Sequence, residues 1–584
     1  MKTEEEIVSK IEYDIRHFPF SRYGAMVAVS RDLVKDELMI HDVRAHDGQD
    51  RALRVIFSDK PFEYKDAAEL KEYTGIPFES VGTPSRLFIT AGNGKAEFIV
   101  SGDHRLHVHL ENLYLLLIPY YADETTGCMR TAKHFEYVCP GAQRYNRIDV
   151  EKGTMSATGP KIMQFGLHPV ERMNAVLIRP EDGTAHIEVQ IAQSPALIDP
   201  IVPLEECCRK AEEEWAAFFE KMPPVPEKYR EYSEKAWFAL WAAYVRAQDP
   251  YHDDTILMSK KFMSAVWSWD HCFNALAVGK ADAALGMNQL LCPFYLQRED
   301  GSIPDRFGPD SVLWGCSKPP VHGWCMTQLM EWHEYDEATL RKVYAHLAKW
   351  TDWWLTCRVY HPDSLPGYPR GCDSGLDNST CFDKGDFIES ADLSAYLALQ
   401  MNCLSDIALK LNDEAAAAEW KQKSAALIER MINRLWNGTR FVPRLCRTQE
   451  EITDTQSILL YLPLVLGNLL PEDIAEKMIE ELKANNLTEH GLASEGPKSP
   501  KYDPDGYWRG PIWAPTTYLI VDGLRRMGRM DDAKEIALRF CNACVDKAHG
   551  FYENFDALTG KGLRTPGYTW TASAFLCMVW DFCM

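Results

Sequence analysis

Two acidic side chains stand on a short polar turn, "RGCDSGLDNST" (370–380), just before a long segment with helical apolar periodicity. Asp373 and Asp377 are set among Gly, Ser and Asn, which are residue types that favour tight turns. An acid in this position either caps the following helix or is presented to a ligand. Neighbouring Asn, Ser and Asp residues could also act as caps, so the turn holds more capping residues than one helix needs.

Paired carboxylates are the chemistry that such a turn suits best. Cleavage of a glycosidic bond needs one protonated acid for the leaving oxygen and one ionised carboxylate that activates water or attacks directly. Glu553, in "FYENFDALTG" (551–560), is a second candidate, although a surface acid before a turn is the simpler interpretation. Nearby Trp and Tyr rings would raise an acid's pKa by desolvation and pack on sugar rings.

Six predicted loops between residues 267 and 560 are rich in Trp, Asp, Glu and Arg. Long loops that place Trp beside charge are costly to keep ordered unless they serve a function. If alternate helices run up and down, these loops gather at one end of the fold. They are "WSWDHCF" (267–273), "QREDGSIPDRFG" (297–308), "CSKPPVHGW" (316–324), "YPRGCDSGLDNST" (368–380), "SEGPKSPKYDPDGYWRGPIW" (494–513) and "FYENFDALTG" (551–560).

The first two hundred or so residues have the period of β-strands. In "HRLHVHL" (104–110) and "HIEVQIA" (186–192), apolar residues alternate with polar ones. "LFITAGNGKAEFIV" (87–100) holds Asn93-Gly94 between two β-rich runs, which predicts a hairpin. We therefore expect an N-terminal β-sandwich domain over residues 1–203.

After Pro203 the apolar period becomes helical. "EECCRKAEEEWAAFFEKM" predicts a linker helix within residues 204–227, and "PPVPE" ends it. Residues 228–584 predict ten to twelve helices, which fit a closed ring of helical hairpins, an (α/α)6 toroid, better than a small bundle. The fold class is therefore mainly α, with an N-terminal β-sandwich. Helices are expected at about 228–244, 336–358, 393–411, 413–435, 472–485, 513–528, 531–547 and 569–583.

With these loops in this order, the chain resembles the inverting (α/α)6 glycosidases: glycoside hydrolase family 63, the mannosylglycerate and glucosylglycerate hydrolases and, more distantly, the trehalases. The resemblance covers about residues 228–584. The motifs that carry it are W-x-W-D-x-x-F (267–273), "DGSIPD", "KPP", "DSGLDNS", "YWRGPIW", and "ENFDALTG" followed by "GYTWTASAF".

The resemblance implies a role for each candidate. Asp377 maps onto the general acid, which we expect to stay protonated near neutral pH, and Glu553 maps onto the general base, which we expect to be ionised. In an inverting enzyme their carboxyl groups stand roughly 6.5–9.5 Å apart. Asp270 should hold hydroxyls of the reacting sugar, with Trp269 packed on it. The other residues expected to line this pocket are Lys318, Arg370, Tyr507, Trp508, Arg509 and Trp513.

Two positions depart from the family pattern. Asp373 stands where many relatives have Glu, and Lys318 stands where trehalases have Gln, which makes trehalose a less favoured substrate. The resemblance thus implies hydrolysis of an α-glycosidic bond, with an α-glucoside in a disaccharide or short glycoside favoured and a glycosylglycerate as an alternative.

The composition and net charge of the chain limit which classes of molecule it can bind. With 46% hydrophobic and 25% charged residues, the chain is typical of globular proteins rather than disordered or membrane ones. The net charge of -22 argues against nucleic acid or anionic lipid as the main partner. The beginning of the chain, "MKTEEEIVSK", has no apolar region typical of a secretory signal, and 17 dispersed cysteines suit reduced thiols, so a cytoplasmic location is expected.

Several weaker signals carry no functional prediction. His104, His107 and His109 could form a metal site, but a solvated strand face is the favoured interpretation. Cys541 and Cys544 form a C-x-x-C inside a predicted helix, which favours buried thiols. "DPDG" (503–506) lacks the remaining ligands of a calcium loop. No glycine pattern for nucleotide binding is present, so no cofactor and no metal are expected.

Three other functions compete with a hydrolase. A sugar epimerase on this scaffold would use His as acid and base, and the six loops offer no His pair. A phosphorylase would let phosphate replace the base, which the retained Glu553 disfavours. A non-catalytic carbohydrate-binding protein would be expected to lose one of the two acids, and both are present.

Overall fold

The structure is a computed structural model that describes residues 11–44, 50–63, 67–121, 125–139, 144–159, 161–164, 168–171, 175–192 and 202–584. The expectation of no secretory signal rests on the first ten residues, which lie outside these ranges. Among the helices of the described ranges, none combines the length and the apolar composition that a membrane crossing requires.

Antiparallel strands form the N-terminal region. They are β1 (Val27–Arg31), β2 (Leu38–Asp42), β3 (Arg51–Ser58), β4 (Phe78–Gly82), β5 (Leu87–Ala91), β6 (Gly94–Ser101), β7 (Arg105–Glu111), β8 (Tyr114–Pro119), β9 (Thr126–Thr131), β10 (His134–Cys139), β11 (Arg144–Lys152), β12 (Thr154–Thr158), β13 (Lys161–Gln164), β14 (His168–Glu171), β15 (Ala175–Arg179) and β16 (Thr184–Ala192). One sheet has the order β1-β2-β3-β8-β15-β12, a second has the order β4-β5-β6-β7-β16-β11-β10-β9, and β13 pairs with β14.

The two large sheets bury their facing sides against each other, as in a β-sandwich. Leu106, Val108 and Leu110 of β7 are buried in this core, as the alternation predicted, although His107 between them is buried as well. The predicted hairpin joins β5 to β6, but its turn lies at Gly92 and Asn93, one residue earlier than the sequence suggested. Gly92 has φ +55°, which glycine adopts without steric strain, and this choice fixes the register.

Twelve α-helices lie within residues 202–584, all of which are described. They are α1 (Leu204–Phe219), α2 (Arg230–Ala243), α3 (Asp270–Ala281), α4 (Ala283–Leu291), α5 (His322–Trp332), α6 (Glu337–Cys357), α7 (Ala391–Lys410), α8 (Glu414–Leu435), α9 (Glu472–Asn485), α10 (Ala514–Arg526), α11 (Met530–Asn542) and α12 (Thr569–Phe582). Short strand pairs cross the connecting loops: β17 (Tyr244–Val245), β18 (Thr255–Ile256), β19 (Val266–Trp267), β20 (Arg306–Phe307), β21 (Val312–Leu313), β22 (Gly367–Tyr368), β23 (Ile388–Glu389), β24 (Arg444–Leu445), β25 (Tyr552–Phe555) and β26 (Gly562–Pro566).

Six inner segments pack in a closed circuit. The circuit runs from α3 to α5, α7, the 3₁₀ segment Leu462–Leu469, α10 and α12, and α12 returns to α3. Helices α2, α4, α6, α8, α9 and α11 pack against the outside of this circuit. The helical region is therefore an (α/α)6 toroid, as the sequence predicted.

The helices that the sequence predicted are present, and most of them are amphipathic outer helices. Helices α3, α4 and α5 are absent from the predicted set, and "WSWDHCF" was expected to be a loop throughout. That expectation is wrong for its second half, because Asp270 begins α3. Ten consecutive residues of α3 are buried, so the helix has no polar face to create a 3.6-residue period.

The β-region packs directly against the toroid. The His17 ring lies 6.0 Å from the Tyr552 ring, beside Glu553 in β25. Lys260 Nζ, fully buried between the two regions, donates to the carbonyl oxygens of Arg22 and Tyr244 at 3.0 and 2.7 Å. Helix α1 contacts both β6 and α2. We propose residues 1–203, 204–227 and 228–584 as β-domain, linker and catalytic domain.

Candidate active site

The acid turn, residues 370–380, is compact because two of its glycines have no room for a side chain. A Cβ on Gly371 would lie 2.1 Å from the carbonyl oxygen of Asp377. A Cβ on Gly375, which has φ +75°, would lie 2.7 Å from the indole of Trp269. These close approaches hold the turn against the beginning of α3 and fix where Asp377 can point.

The two acids of this turn have different partners. Asp373 is fully buried, and its Oδ1 accepts hydrogen bonds from Ser317 N and Oγ at 3.0 and 2.9 Å. Serines carry out the capping in this turn, with Ser379 accepting from Cys381 N. The side chain of Asp377 is 35% exposed, and its nearest charged partner is Lys318 Nζ at 3.5 Å. Asp373 thus braces the loop, and Asp377 faces the interior of the toroid.

Lys318 lies within a cluster of carboxylates. Its Nζ is 3.5 Å from Asp305 Oδ1 and 3.5 Å from Asp377 Oδ1, and it donates to Cys372 O at 2.8 Å. Asp305 was not among the predicted site residues, although it ends the quoted "DGSIPD" motif. The β19–β20 pairing brings it beside the beginning of α3, because Ser268 N donates to Asp305 O. No periodicity in the sequence reports that pairing.

Charge and burial oppose each other in this cluster. Burial lowers the pKa of Lys318, but the carboxylates of Asp305, Asp377 and Asp270 outweigh it and hold that pKa above its ordinary value. Burial raises the pKa of Asp270 well above its usual range and raises the pKa of Asp305 as well, while the charge of Lys318 opposes both shifts. The buried ammonium group of Lys318 therefore interacts with three carboxyl groups.

Several buried polar atoms here accept or donate no hydrogen bond within the protein. They are Asp270 Oδ2, Asp305 Oδ1, Asp377 Oδ1 and Trp570 Nε1. Buried polar atoms in folded proteins are almost always paired, so a cluster of unpaired ones marks a place where a polar ligand can supply the partners. The hydroxyl groups of a sugar ring are suitable partners for this set.

Glu553 lies across the same pocket, in β25. The Tyr507 hydroxyl donates to Glu553 Oε1 at 3.0 Å. Burial raises the pKa of Glu553 to about 7, although the hydrogen bond from Tyr507 and the charge of Arg564 act in the opposite direction. The charge of Asp377 adds to the rise. Asn378, the neighbour of Asp377, donates to Gly506 O at 3.0 Å, and this contact holds the acid turn beside Tyr507. A pKa near 7 allows Glu553 to act in its ionised form close to neutral pH.

A cluster of tryptophans supports the pocket. Trp570, from α12, packs edge to face on Trp269 at 6.0 Å and on Trp513 at 5.6 Å. Trp508 is stacked on Trp513 at 3.8 Å, and Trp513 Nε1 donates to Tyr507 O. Trp508 and Trp513 are almost completely buried, so they lie behind Tyr507 rather than on the pocket surface.

The two predicted arginines lie at the rim. Arg509 forms an ion pair with Asp383, and its Nε donates to Asn378 O, so it ties its loop to the acid turn. Arg370 is half exposed and donates to Gly315 O at 2.8 Å. Of the ten predicted site residues, Arg509 and the buried Trp508 and Trp513 thus act as supports in this structure.

Tyr507→Phe should shift the pH dependence of activity. The variant loses the hydrogen bond that stabilises ionised Glu553, so the pKa of Glu553 should rise by about one to two units, since such bonds contribute about 1.5–3 kcal/mol. If Glu553 acts ionised, the acidic limb of the kcat/KM profile moves to higher pH by the same amount, and activity recovers at alkaline pH. Tyr502→Phe is the matched control, because the Tyr502 hydroxyl has no hydrogen-bond partner among the described residues. An unshifted limb would exclude Glu553 as the titrating group.

Asp270→Asn should lower kcat/KM by about 10²-fold, because a charged acceptor of sugar hydroxyls becomes a neutral amide. The melting temperature should change little, since the buried charge is unfavourable to the fold and Lys318 keeps two carboxylate neighbours. Thermal unfolding and steady-state kinetics measure the two effects. A large fall in melting temperature with unchanged kinetics would mark Asp270 as structural.

Two of the three clustered histidines in the β-region make side-chain contacts within it. His107 was expected on a solvated strand face, but it is buried, and its ring is hydrogen-bonded to Ser101 Oγ at 2.8 Å. Burial lowers the pKa of His107 to about 4. His109 is stacked on His186 at 4.3 Å. Within the described ranges, no group of three or more His, Cys, Asp or Glu side chains could hold a metal ion.

Comparisons with known proteins agree with this arrangement. Residues 263–571 match the family described as "Mannosylglycerate hydrolase MGH1-like glycoside hydrolase domain". A mannosylglycerate hydrolase from Rubrobacter radiotolerans is 23% identical over 412 residues, which cover 54% of this chain and 90% of that protein. A glucosylglycerate hydrolase from Mycolicibacterium hassiacum is 20% identical over 410 residues, covering 53% of this chain and 91% of that one.

A solved structure extends the likeness to the β-region. A bacterial glucoamylase complexed with acarbose aligns with a TM-score of 0.64 at 12% identity, covering 98% of this chain and 94% of its own. This match shows the shared fold, a β-sandwich followed by an (α/α)6 toroid. The family match spans the acid turn, the Lys318 loop and β25. The chain belongs to the mannosylglycerate hydrolase MGH1-like family of glycoside hydrolases.

Proposed function

We propose that the protein hydrolyses an α-glycosidic bond in a disaccharide or short glycoside with inversion, using Asp377 as general acid and Glu553 as general base. The observation that carries this proposal is the pair of acids in one pocket, each with a different partner. Asp377 lies 3.5 Å from Lys318, and Glu553 accepts a hydrogen bond from Tyr507. Paired carboxylates at the two faces of a sugar ring are what glycoside hydrolysis requires.

In this mechanism Asp377 gives its proton to the leaving oxygen as the glycosidic bond breaks. Glu553 removes a proton from a water molecule that attacks the anomeric carbon from the opposite face. A pKa of about 7 suits this role, since a base is most effective when its pKa lies near the working pH. Asp270, with its unpaired Oδ2, holds hydroxyls of the reacting sugar.

The favoured substrate class is an α-glucoside, and a glycosylglycerate is the second candidate. The names of two relatives, mannosylglycerate hydrolase and glucosylglycerate hydrolase, support the second. An anionic leaving group would also need a cation near the acid. Arg370, one of the two arginines at the rim, begins the acid turn, and its Nε is 3.8 Å from Asp373 Oδ2.

The decisive experiment is NMR of the first sugar released from an α-glycoside, recorded before the product mutarotates. The panel contains neutral α-linked disaccharides and α-glycosylglycerates, each with and without inorganic phosphate. A β-anomer as first product supports inversion, and an α-anomer would make one acid a nucleophile. Sugar phosphate formed only when phosphate is present would replace hydrolysis by phosphorolysis.

A further inference from the structure

Two thiols join the loops that form the acid side of the pocket. Cys316 lies two residues before Lys318, and Cys372 lies within the acid turn, one residue before Asp373. The side chains of Cys316 and Cys372 influence each other's pKa, and both are partly exposed. Their loops are in direct contact, because Ser317, next to Cys316, donates from Oγ to Oδ1 of Asp373, next to Cys372, at 2.9 Å. All 17 cysteines of the chain are free thiols. The pair is therefore a reduced dithiol within reach of solvent.

Two other pairs of neighbouring thiols in the described chain are shielded from water. Cys272 and Cys325 are buried between inner helices, and Cys541, the partner of Cys583, is fully buried as well. A reagent dissolved in water cannot reach both members of either pair without opening the core. Cys316 and Cys372, the pocket dithiol, therefore differ from the two other pairs because both of their thiols are accessible to solvent.

Positive charge surrounds the pocket dithiol. Arg370 Nη2 lies 3.0 Å from Cys316 Sγ, and Lys318 Nζ donates to Cys372 O. The neighbouring Cys316 thiol lowers the pKa of the Cys372 thiol to about 7, against burial and the charge of Asp377, which both raise it. Thiolate is the reactive form of cysteine, so Cys372 is the thiol of this pair that attacks first.

We propose that Cys316 and Cys372 form a site of reversible oxidation by hydroperoxides, and that the resulting disulfide lowers the activity of the pocket. The Cys372 thiolate attacks the O–O bond of hydrogen peroxide, which gives a sulfenic acid and, after proton uptake, one water. Cys316 then attacks the sulfenic sulfur, and its thiol proton leaves with the hydroxyl as a second water. Two thiols lose two electrons, and one peroxide gains them. An added dithiol reverses the reaction by thiol–disulfide exchange.

The disulfide should lower activity because hydrogen bonds also connect the Cys316 loop to the acid turn. This expectation rests on the function proposed above. Ser317 donates to Asp373, and Lys318 donates to the carbonyl of Cys372. A disulfide shortens the sulfur–sulfur distance to about 2.05 Å, so it pulls the acid turn toward the Lys318 loop. Asp377 and Lys318 then change their relative positions, and a shift of about 1 Å at a reacting group can lower a rate by about 10²-fold.

The test treats the full-length protein with hydrogen peroxide and measures intact mass, a non-reducing peptide map and glycoside hydrolysis. We expect the loss of two hydrogen atoms, a cross-linked peptide containing Cys316 and Cys372, and a fall in activity of about tenfold or more. Dithiothreitol should restore mass and activity. Cys316→Ser and Cys372→Ser should keep activity in peroxide. Cys357→Ser, which removes an exposed thiol on α6, should remain as sensitive as the parent protein.

Three outcomes overturn the proposal: no cross-link in the parent protein, a cross-link with unchanged activity, or equal inactivation of Cys316→Ser. The peptide map of the parent protein decides the first outcome even if a serine variant fails to fold. A reduced protein that hydrolyses no glycoside would refute the proposed function instead, while the mass measurement still decides whether the disulfide forms.

Discussion

Replacing Asp377 by Asn should lower kcat on an unactivated α-glycoside by about 10³-fold while the protein stays folded. General acid catalysis contributes about 10²–10⁴-fold, and Asn cannot donate the carboxylic proton. Stability should be kept, since the Asp377 side chain is partly exposed and Lys318 retains Asp305. Glu553→Gln should lose a similar factor because no base then activates the water. Steady-state kinetics and thermal unfolding measure both variants.

A change of leaving group tells the two roles apart. Glycosyl fluorides and aryl glycosides with acidic phenols need little proton donation, so they should restore much of the activity of Asp377→Asn and little of that of Glu553→Gln. The reverse pattern would mean that the roles are exchanged. That exchange has a physical basis, since burial raises the pKa of Glu553 to about 7 and Asp377 faces a lysine.

Lys318→Met should lower the free energy of unfolding by about 3–5 kcal/mol, because it leaves Asp270, Asp305 and Asp377 without their buried cation. Folding raises the pKa of Lys318, so its contribution is present below its ordinary pKa and is lost as the pH rises through the raised value. The carboxyl groups of Asp270 and Asp305 also have raised pKa values, and they lose their charge as the pH falls. The deficit of the variant should therefore shrink toward acid pH. Denaturant titrations at several pH values measure it.

Lys384→Met is the matched control for this variant. Lys384 pairs with Glu450 and Asp454, but all three side chains are well exposed to water. Exposed ion pairs contribute about 0–1 kcal/mol, so this variant should unfold almost like the parent protein at every pH. Equal losses for the two lysines would show that the three acids near Lys318 do not depend on its charge.

The sequence predicted the outer half of the toroid better than the inner half. Helix α8 has a buried stripe and a charged outer face, so apolar residues recur at helical spacing. Helix α12 was predicted near its observed bounds, although 13 of its 14 residues are buried. Helix α3 was missed because it is short, buried on nearly every side and follows two tryptophans that suggested a loop. In α3, burial on nearly every side left no polar positions to mark a helical period.

The sequence predicted those candidate site residues that lie within short recognisable motifs. Asp377, Glu553 and Lys318 each lie in a quoted loop, and the structure brings all three to one pocket. Asp305 was missed as a site residue because a strand pairing, which no local pattern reports, brings it to Lys318. The raised pKa of Glu553 depends on burial by distant parts of the chain, which the motif alone does not report.

The closed circuit of inner helices has a consequence for biosynthesis. Helix α12 follows all the other inner helices in the chain, yet it packs on α3 and carries Trp570, which touches Trp269 and Trp513. While the ribosome is still making α12, the sides of α3 and α10 that α12 later covers remain exposed. Exposed apolar surfaces aggregate readily, so at that stage the nascent chain depends on chaperones to prevent aggregation. The enzyme first becomes competent when the ring closes.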